Sequence, residues 1–177
     1  MLDLDTSKLD ILISEEELQA RITELGNQIS KDYEGKELVV LCILKGGVMF
    51  MTDLVKHITV PLKLEFMVVS SYGDEYKSSG IVKIMKDLDE PIHDKHVLIV
   101  EDIIDSGRTL GYLTKMLGER NPASLKLCTL LDKEEERVTD VKVDYSGFKV
   151  GNEFVIGYGL DYKQYCRNLP YIAVKRG

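Results

Sequence analysis

The sequence predicts an α/β fold, with a mostly parallel central sheet flanked by helices. Three observations predict it. Short runs that are apolar throughout, such as Leu38-Val39-Val40-Leu41-Cys42-Ile43-Leu44 and Val97-Leu98-Ile99-Val100, read as strands buried on both faces. Segments with apolar residues at helical spacing alternate with those runs. Short glycine-bearing turns, such as Lys45-Gly46-Gly47, join a run to the helical segment after it.

In chain order, Ser14-Glu15-Glu16-Glu17 fits a capping box, with Ser14 as N-cap and Glu17 three residues on. Leu18, Ile22, Leu25, Ile29 and Tyr33 follow at helical spacing, so an amphipathic helix is expected to end near Gly35. After the strand at 38–44, a second helix is expected over roughly Val48 to His57. A strand is expected at Leu62 to Ser71. The Gly- and Ser-rich stretch 71–80 lacks apolar periodicity and reads as a mobile loop or hairpin tip. Strands are expected at Ile81 to Met85 and Val97 to Val100, then a helix to about Arg120. Further strands are expected at Leu125 to Leu131, Phe154 to Tyr158 and Tyr171 to Val174. One domain over residues 1–177 accounts for the length.

Apolar residues make up 44% of the chain and charged residues 30%, the balance of a soluble globular protein. The net charge of -7 disfavours nucleic acid or a membrane surface as a general partner, since both are negative. No apolar run approaches the roughly 20 residues that span a bilayer. The acidic start Met1-Leu2-Asp3-Leu4-Asp5 does not look like a signal peptide, so a cytoplasmic location is the expectation. Cys42, Cys128 and Cys166 are odd in number and widely spaced, and read as free, buried, reduced thiols. His57, His93 and His96 have no metal-ligand spacing and read as structural or solvated. No Gly-x-x-x-x-Gly-Lys-Ser/Thr loop is present, which argues against a kinase or ATPase.

The chemistry concentrates between Val97 and Thr109. A buried strand ends on two adjacent acids, Glu101 and Asp102. Asp105-Ser106-Gly107-Arg108-Thr109 then leads into a helix. Backbone N–H groups at such a turn favour an anion, phosphate above all. Gly107 allows close approach, Ser106 and Thr109 offer hydroxyls, and Arg108 offers charge. The acid pair suits something else: ribose hydroxyls, or magnesium directly or through water. Together they describe a ribose 5-phosphate site. In parallel sheets ligands bind beyond the carboxyl ends of the strands, here after Leu44, Val100, Leu131 and Tyr158.

The run Val100-Glu101-Asp102-Ile103-Ile104-Asp105-Ser106-Gly107-Arg108-Thr109 resembles the phosphoribosyl-pyrophosphate motif of the type I phosphoribosyltransferase family. The Glu-Asp order with Ile-Ile-Asp after it resembles the 6-oxopurine branch. Adenine and orotate enzymes usually carry a small residue where Asp105 stands. The resemblance extends from Leu38 to Arg167. It implies that fold, with a small hood and a flexible loop beginning at Ser71 and Tyr72. It implies Mg2+, phosphoribosyl pyrophosphate, and hypoxanthine or guanine as the purine. It makes Lys45, Gly46 and Arg167 pyrophosphate-binding, with a non-proline cis peptide before Lys45. Lys133 becomes the donor to the purine 6-oxygen, Phe154 the stacking ring, and Val155 a source of backbone groups for the base. Asp161 lies beside the purine and joins Glu101 and Asp102 near the metal. Asp105 becomes the catalytic base or hydrogen-bond partner at purine N7.

Read alone, each of these residues has a plainer role. Lys45 would be a solvated cation on a Gly-rich turn, and Lys133 one more charge before Glu134-Glu135-Glu136-Arg137. Phe154 would be core at a strand start, Arg167 surface, and Asp105 a capping carboxylate. Two other functions remain open: an RNA-binding regulator of pyrimidine genes with the same fold, and a xanthine-preferring enzyme. Relatives in the family form homodimers or homotetramers.

Overall fold

The computed structural model describes residues 9–71 and 82–175. Among the described residues, nine strands and three α-helices follow one another: β1 (Leu9–Ile13), α1 (Glu15–Asp32), β2 (Leu38–Leu44), α2 (Val48–Leu54), β3 (Leu62–Ser71), β4 (Val82–Lys86), β5 (His96–Ile104), α3 (Arg108–Gly118), β6 (Ser124–Asp132), β7 (Tyr145–Lys149), β8 (Val155–Ile156) and β9 (Ile172–Lys175). Six strands form the main sheet in the order β4-β3-β2-β5-β6-β7, and β1-β9-β8 form a small second sheet, the hood. Neighbours from β3 through β7 are parallel, and only the edge strand β4 runs against them.

The apolar runs are strands with two buried faces. Leu38, Val40 and Cys42 of β2 join Leu98 and Val100 of β5 in a core under α1 and α2. Val39, Leu41 and Ile43 alternate with them and pack with Val97 and Ile99 against Leu110, Leu113 and Leu117 of α3. α1 buries Leu18, Ile22, Leu25 and Ile29, and its capping box forms as expected. It stops at Asp32, three residues short of Gly35, and Gly35 makes the following turn with φ +73°. The expected helix at 48–57 is α-helical only to Leu54 and tightens to 3-10 over Val55–His57. α3 ends at Gly118, two residues earlier than expected.

Four strands differ more. β5 does not end at Val100 but continues to Ile104, because Glu101, Ile103 and Ile104 pair with Thr129, Leu131 and Asp132 of β6. Of the stretch expected from Phe154 to Tyr158, only Val155–Ile156 is strand, since positive φ at Gly157, Tyr158 and Gly159 turns the chain away. β1 and β7 were not anticipated. β1 pairs with β9 from the far end of the chain. β7 carries Gly147, where a Cβ would lie 2.4 Å from the Leu130 carbonyl oxygen. Arg21 covers the outer edge of β7 by donating to the carbonyls of Ser146 and Gly147 at 2.8 and 3.0 Å.

Ser71 closes β3, and Tyr72 with the rest of the expected loop lies outside the described residues. Cys42 and Cys128 are buried, and burial pushes the Cys42 thiol up to about 12. Cys166 is only partly buried, unlike the expectation, because it lies on the turn after Asp161 with φ +72°. No helix among the described residues is long and apolar enough to cross a membrane.

Candidate active site

The strand order reverses direction between β2 and β5. From β2 the chain steps outward to β3, and from β5 it steps the other way to β6 and β7. Such a switch point opens a crevice at the carboxyl ends of the strands. The register shows it opening. β2 and β5 pair from Leu38↔His96 to Cys42↔Val100 and then separate, β2 continuing with β3 and β5 with β6. Glu101 and Asp102 stand on the freed side of β5, and Lys45-Gly46-Gly47 leaves β2 opposite them.

The peptide Leu44–Lys45 is cis, as the resemblance implied. Gly46 lies directly against Asp102: a Cβ on it would sit 1.7 Å from Asp102 Oδ2. Any larger residue there would have to push the Asp102 carboxylate aside. Asp102 Oδ1 accepts the Ile103 N–H at 2.8 Å, and Glu101 Oε2 accepts the Asp102 N–H at 3.2 Å. Burial and mutual repulsion raise the Glu101 carboxyl well above the usual range. Burial also raises Asp102, against the hydrogen bonds and the Arg167 charge that pull it down. Both shifts disfavour the doubly charged pair, and a cation or hydroxyl donors beside it would favour ionisation.

The segment after β8 closes the crevice from above. A Cβ at Gly159 would lie 2.0 Å from the Gly46 carbonyl oxygen. The Gly159 carbonyl accepts Arg167 Nη1 at 2.6 Å, and Arg167 Nη2 meets Asp161 Oδ1 at 2.7 Å. Gln164 Oε1 accepts from Lys45 Nζ at 3.3 Å and Arg167 Nη2 at 3.4 Å, so one amide bridges the two cations. Tyr158, with φ +48°, donates to Asp53 Oδ2 at 2.5 Å and anchors this segment on α2.

The turn after β5 lines a cavity of about 210 Å³ with Glu101, Ile103, Ile104, Asp105, Ser106, Gly107, Arg108 and Thr109. Gly107 takes φ +77° there and precedes α3, whose first N–H groups point outward. Lys133 follows β6, its N–H on the Ile104 carbonyl at 2.9 Å, which brings it beside the same strand end. Val155 is buried, whereas Phe154 is 55% exposed and sets its ring edge-on to Tyr162 at 6.2 Å. Phe154 is thus not core, because β8 begins one residue later. A larger hollow, about 550 Å³ and lined by Lys36, Lys63, Lys95 and His96 among others, lies where β2, β3 and β5 begin, away from all of these groups.

Among the described residues no group of three or more His, Cys, Asp or Glu could hold a metal ion on protein side chains alone. Asp161 faces Arg167 and accepts the Gln164 N–H at 2.7 Å. Three residues that sequence reading passed over belong to the site's frame: Gln164, Tyr158 and Arg137. Arg137 stood in an apparently solvated charge run, yet its side chain is 15% exposed and pairs with buried Asp132. Only the placement of that run directly after β6 signalled it.

Residues 11–163 match the model of the phosphoribosyl transferase domain. The chain belongs to the phosphoribosyltransferase family. It is 50% identical over 174 residues to a hypoxanthine-guanine phosphoribosyltransferase of Streptococcus thermophilus, covering 98% of this chain and 96% of that one. It is 51% identical to one of Mycobacterium tuberculosis, covering 92% and 84%. A crystal structure of a hypoxanthine phosphoribosyltransferase from Staphylococcus aureus superposes with a TM-score of 0.94 at 48% identity, covering 97% of this chain and 94% of that one. The phosphoribosyltransferase fold with its central sheet and hood is therefore the architecture described above.

Proposed function

We propose that this phosphoribosyltransferase moves the 5-phosphoribosyl group from phosphoribosyl pyrophosphate to hypoxanthine or guanine, giving IMP or GMP and pyrophosphate in purine salvage. The observation that carries this reading is the meeting, at one crevice, of the 105–109 turn, the Glu101–Asp102 pair and the two cations Lys45 and Arg167. The sugar phosphate takes the backbone N–H groups of the turn, with Ser106, Gly107, Arg108 and Thr109 around it. The ribose hydroxyls donate to Glu101 and Asp102. Lys45, the Gly46 backbone and Arg167 receive the departing pyrophosphate. Relatives of this family use magnesium with phosphoribosyl pyrophosphate, and the acid pair, whose charged form burial disfavours, would be stabilised by a cation held through water or through the substrate's own oxygens. Bound there, the ion would neutralise charge on the leaving group.

The attacking N9 of the base forms its bond to C1 as the bond to pyrophosphate breaks. Asp105 accepts or hydrogen-bonds the N7 proton as electron density shifts. Lys133 donates to the 6-oxygen, which favours oxopurines over adenine. Phe154, exposed as it is, offers its face to the base, and Val155 offers backbone groups. Asp161 sits beside the purine 2-position and orients Arg167. Ser71 and Tyr72 open the loop that would keep water from the reacting centre. One domain is supported by a core that joins Ile13, Val155 and Ile172 of the hood to α1 and β2. A cytoplasmic homodimer or homotetramer, with no nucleic-acid partner, completes the reading.

The test is nucleotide formation from phosphoribosyl pyrophosphate with hypoxanthine, guanine, xanthine and adenine in turn, followed spectrophotometrically. Turnover of hypoxanthine or guanine is expected, with adenine inert. Turnover of xanthine alone would move the assignment to the xanthine branch. No turnover with any base, together with retention of leader RNA on a filter, would replace it with the regulator.

A further inference from the structure

The strap that follows β6 holds the back of the phosphate turn. Each nitrogen of the Arg137 guanidinium donates: Nη2 to Asp132 Oδ1 at 2.5 Å, Nη1 to the Val141 carbonyl at 3.3 Å, and Nε to the Asp105 carbonyl at 3.2 Å. The Val138 N–H and Thr139 Oγ1 both donate to the Ser106 carbonyl, at 3.0 and 3.1 Å. Gly107 rests on the same strap. A Cβ there would lie 2.5 Å from Thr139 Oγ1 and 2.7 Å from Arg137 Cδ. Two consecutive carbonyls of the turn are thus taken from one side by residues 137–139.

Peptide geometry converts this into an orientation for the other side. In a planar trans peptide, the carbonyl of one residue and the N–H of the next point in opposite directions. Fixing the Asp105 carbonyl on Arg137 aims the Ser106 N–H away from the strap. Fixing the Ser106 carbonyl on Val138 and Thr139 aims the Gly107 N–H the same way. Those are N–H groups that an anion seated in the turn would meet. Arg137 itself is referenced to Asp132, which is 6% exposed, ends β6 and precedes Lys133.

We infer that Arg137 and Thr139 are positioning residues that pre-set the Ser106 and Gly107 N–H groups toward the sugar phosphate. The inference rests on the reading of the 105–109 turn as the ribosyl-phosphate site. The buried Asp132 makes Arg137 a fixed post rather than a mobile surface cation, and the strap spares the turn from reorganising when the phosphate arrives.

The experiment compares Thr139→Val, Thr139→Ser and Arg137→Lys with the unaltered enzyme. It reads KM for phosphoribosyl pyrophosphate, KM for hypoxanthine, kcat, the Kd of ribose 5-phosphate by calorimetry, and Tm. Thr139→Val is expected to raise KM for phosphoribosyl pyrophosphate and the ribose 5-phosphate Kd together by about 3- to 10-fold, the worth of one net hydrogen bond. KM for hypoxanthine should stay within about twofold, and Thr139→Ser should restore unaltered values. Arg137→Lys, where folded, should exceed the Thr139→Val effect. A lowered Tm with unchanged ribose 5-phosphate affinity in Thr139→Val would make the strap structural only and overturn the inference. So would an equal rise in both KM values. If the unaltered protein binds ribose 5-phosphate but transfers nothing, the proposed reaction fails, and the same Kd comparison still decides the strap. If it does not bind ribose 5-phosphate at all, both readings fall.

Discussion

Gly159→Ala offers a severe test of how the crevice is assembled. The added Cβ would lie 2.0 Å from the Gly46 carbonyl oxygen and 3.2 Å from its carbon. Contacts under 3.0 Å are essentially never tolerated, so the two backbones must separate by at least about 1 Å. Alanine at φ +99° adds strain of about 1–3 kcal/mol. Gly46 is itself packed against the Asp102 carboxylate, which occupies the place its Cβ would take. The displacement therefore falls on the Lys45-Gly46 turn or on the Gly159 carbonyl that holds Arg167. A 1 Å misplacement of positioning groups costs about 100-fold in rate. We expect kcat/KM for phosphoribosyl pyrophosphate to fall on that order, and Tm to fall by about 2–12 °C for a chain of this size. Gly118→Ala is the control: nothing lies within 4 Å of its Cβ and it ends α3, so stability should hold or rise by about 0.4–1 kcal/mol with activity intact. Steady-state kinetics with saturating hypoxanthine and a thermal melt measure both. A Gly159→Ala enzyme with unaltered kcat/KM would show that the contact between these two backbones does not shape the site.

Asp105→Asn should lower kcat far more than it weakens phosphoribosyl pyrophosphate binding; unchanged kcat in steady-state assays would remove Asp105 from the base role. Lys133→Met should cut the preference for hypoxanthine over adenine by about 5- to 150-fold, as competing-substrate assays would read. Glu101→Gln tests the acid pair through pH. The Glu101 carboxyl is raised in the folded state by burial and by Asp102, so the stability tied to its proton is whole below its ordinary value of 4.5 and is lost as pH rises through the folded value. The ligand-free variant should melt with the unaltered protein near pH 4.5 and above it by pH 8, and equal melting at pH 8 would refute the assignment. Ser14→Ala removes the side chain that caps α1 through the Glu17 N–H, and should cost about 1 kcal/mol in denaturant titration while leaving kcat unchanged.

Much of the architecture was legible because it depends on local pattern. β2 and β3 have the expected bounds: β2 is an unbroken seven-residue apolar run that stops at Lys45-Gly46, and β3 starts directly after Pro61. The capping box at Ser14 is a local device and forms as read. What escaped depends on partners remote in sequence. β1 owes its strand state to β9, more than 150 residues away. β5 outruns its apolar stretch because β6 continues to pair with it past Val100. At the site, the acid pair and the turn were readable as motifs, and Lys45 and Arg167 only through the family resemblance; the structure brings them to one crevice. The pairing of Asp161 with Arg167 was not readable, because it depends on a turn of positive-φ residues. Arg137 was hidden by its neighbours, three glutamates whose charge suggested a solvated face for it too.

The hood is a seam between chain ends: Leu9 stands opposite Lys175, and Ile13 opposite Ile172. Residues near the start must wait for residues near the finish before that sheet can close. During synthesis the 105–109 turn can form while the segment that closes the crevice, from Val155 to Arg167, still has no strand to lean on. Joining the ends with a short linker and cutting elsewhere, in a circularly permuted chain, would let the hood form early and leave some other part of the molecule for last.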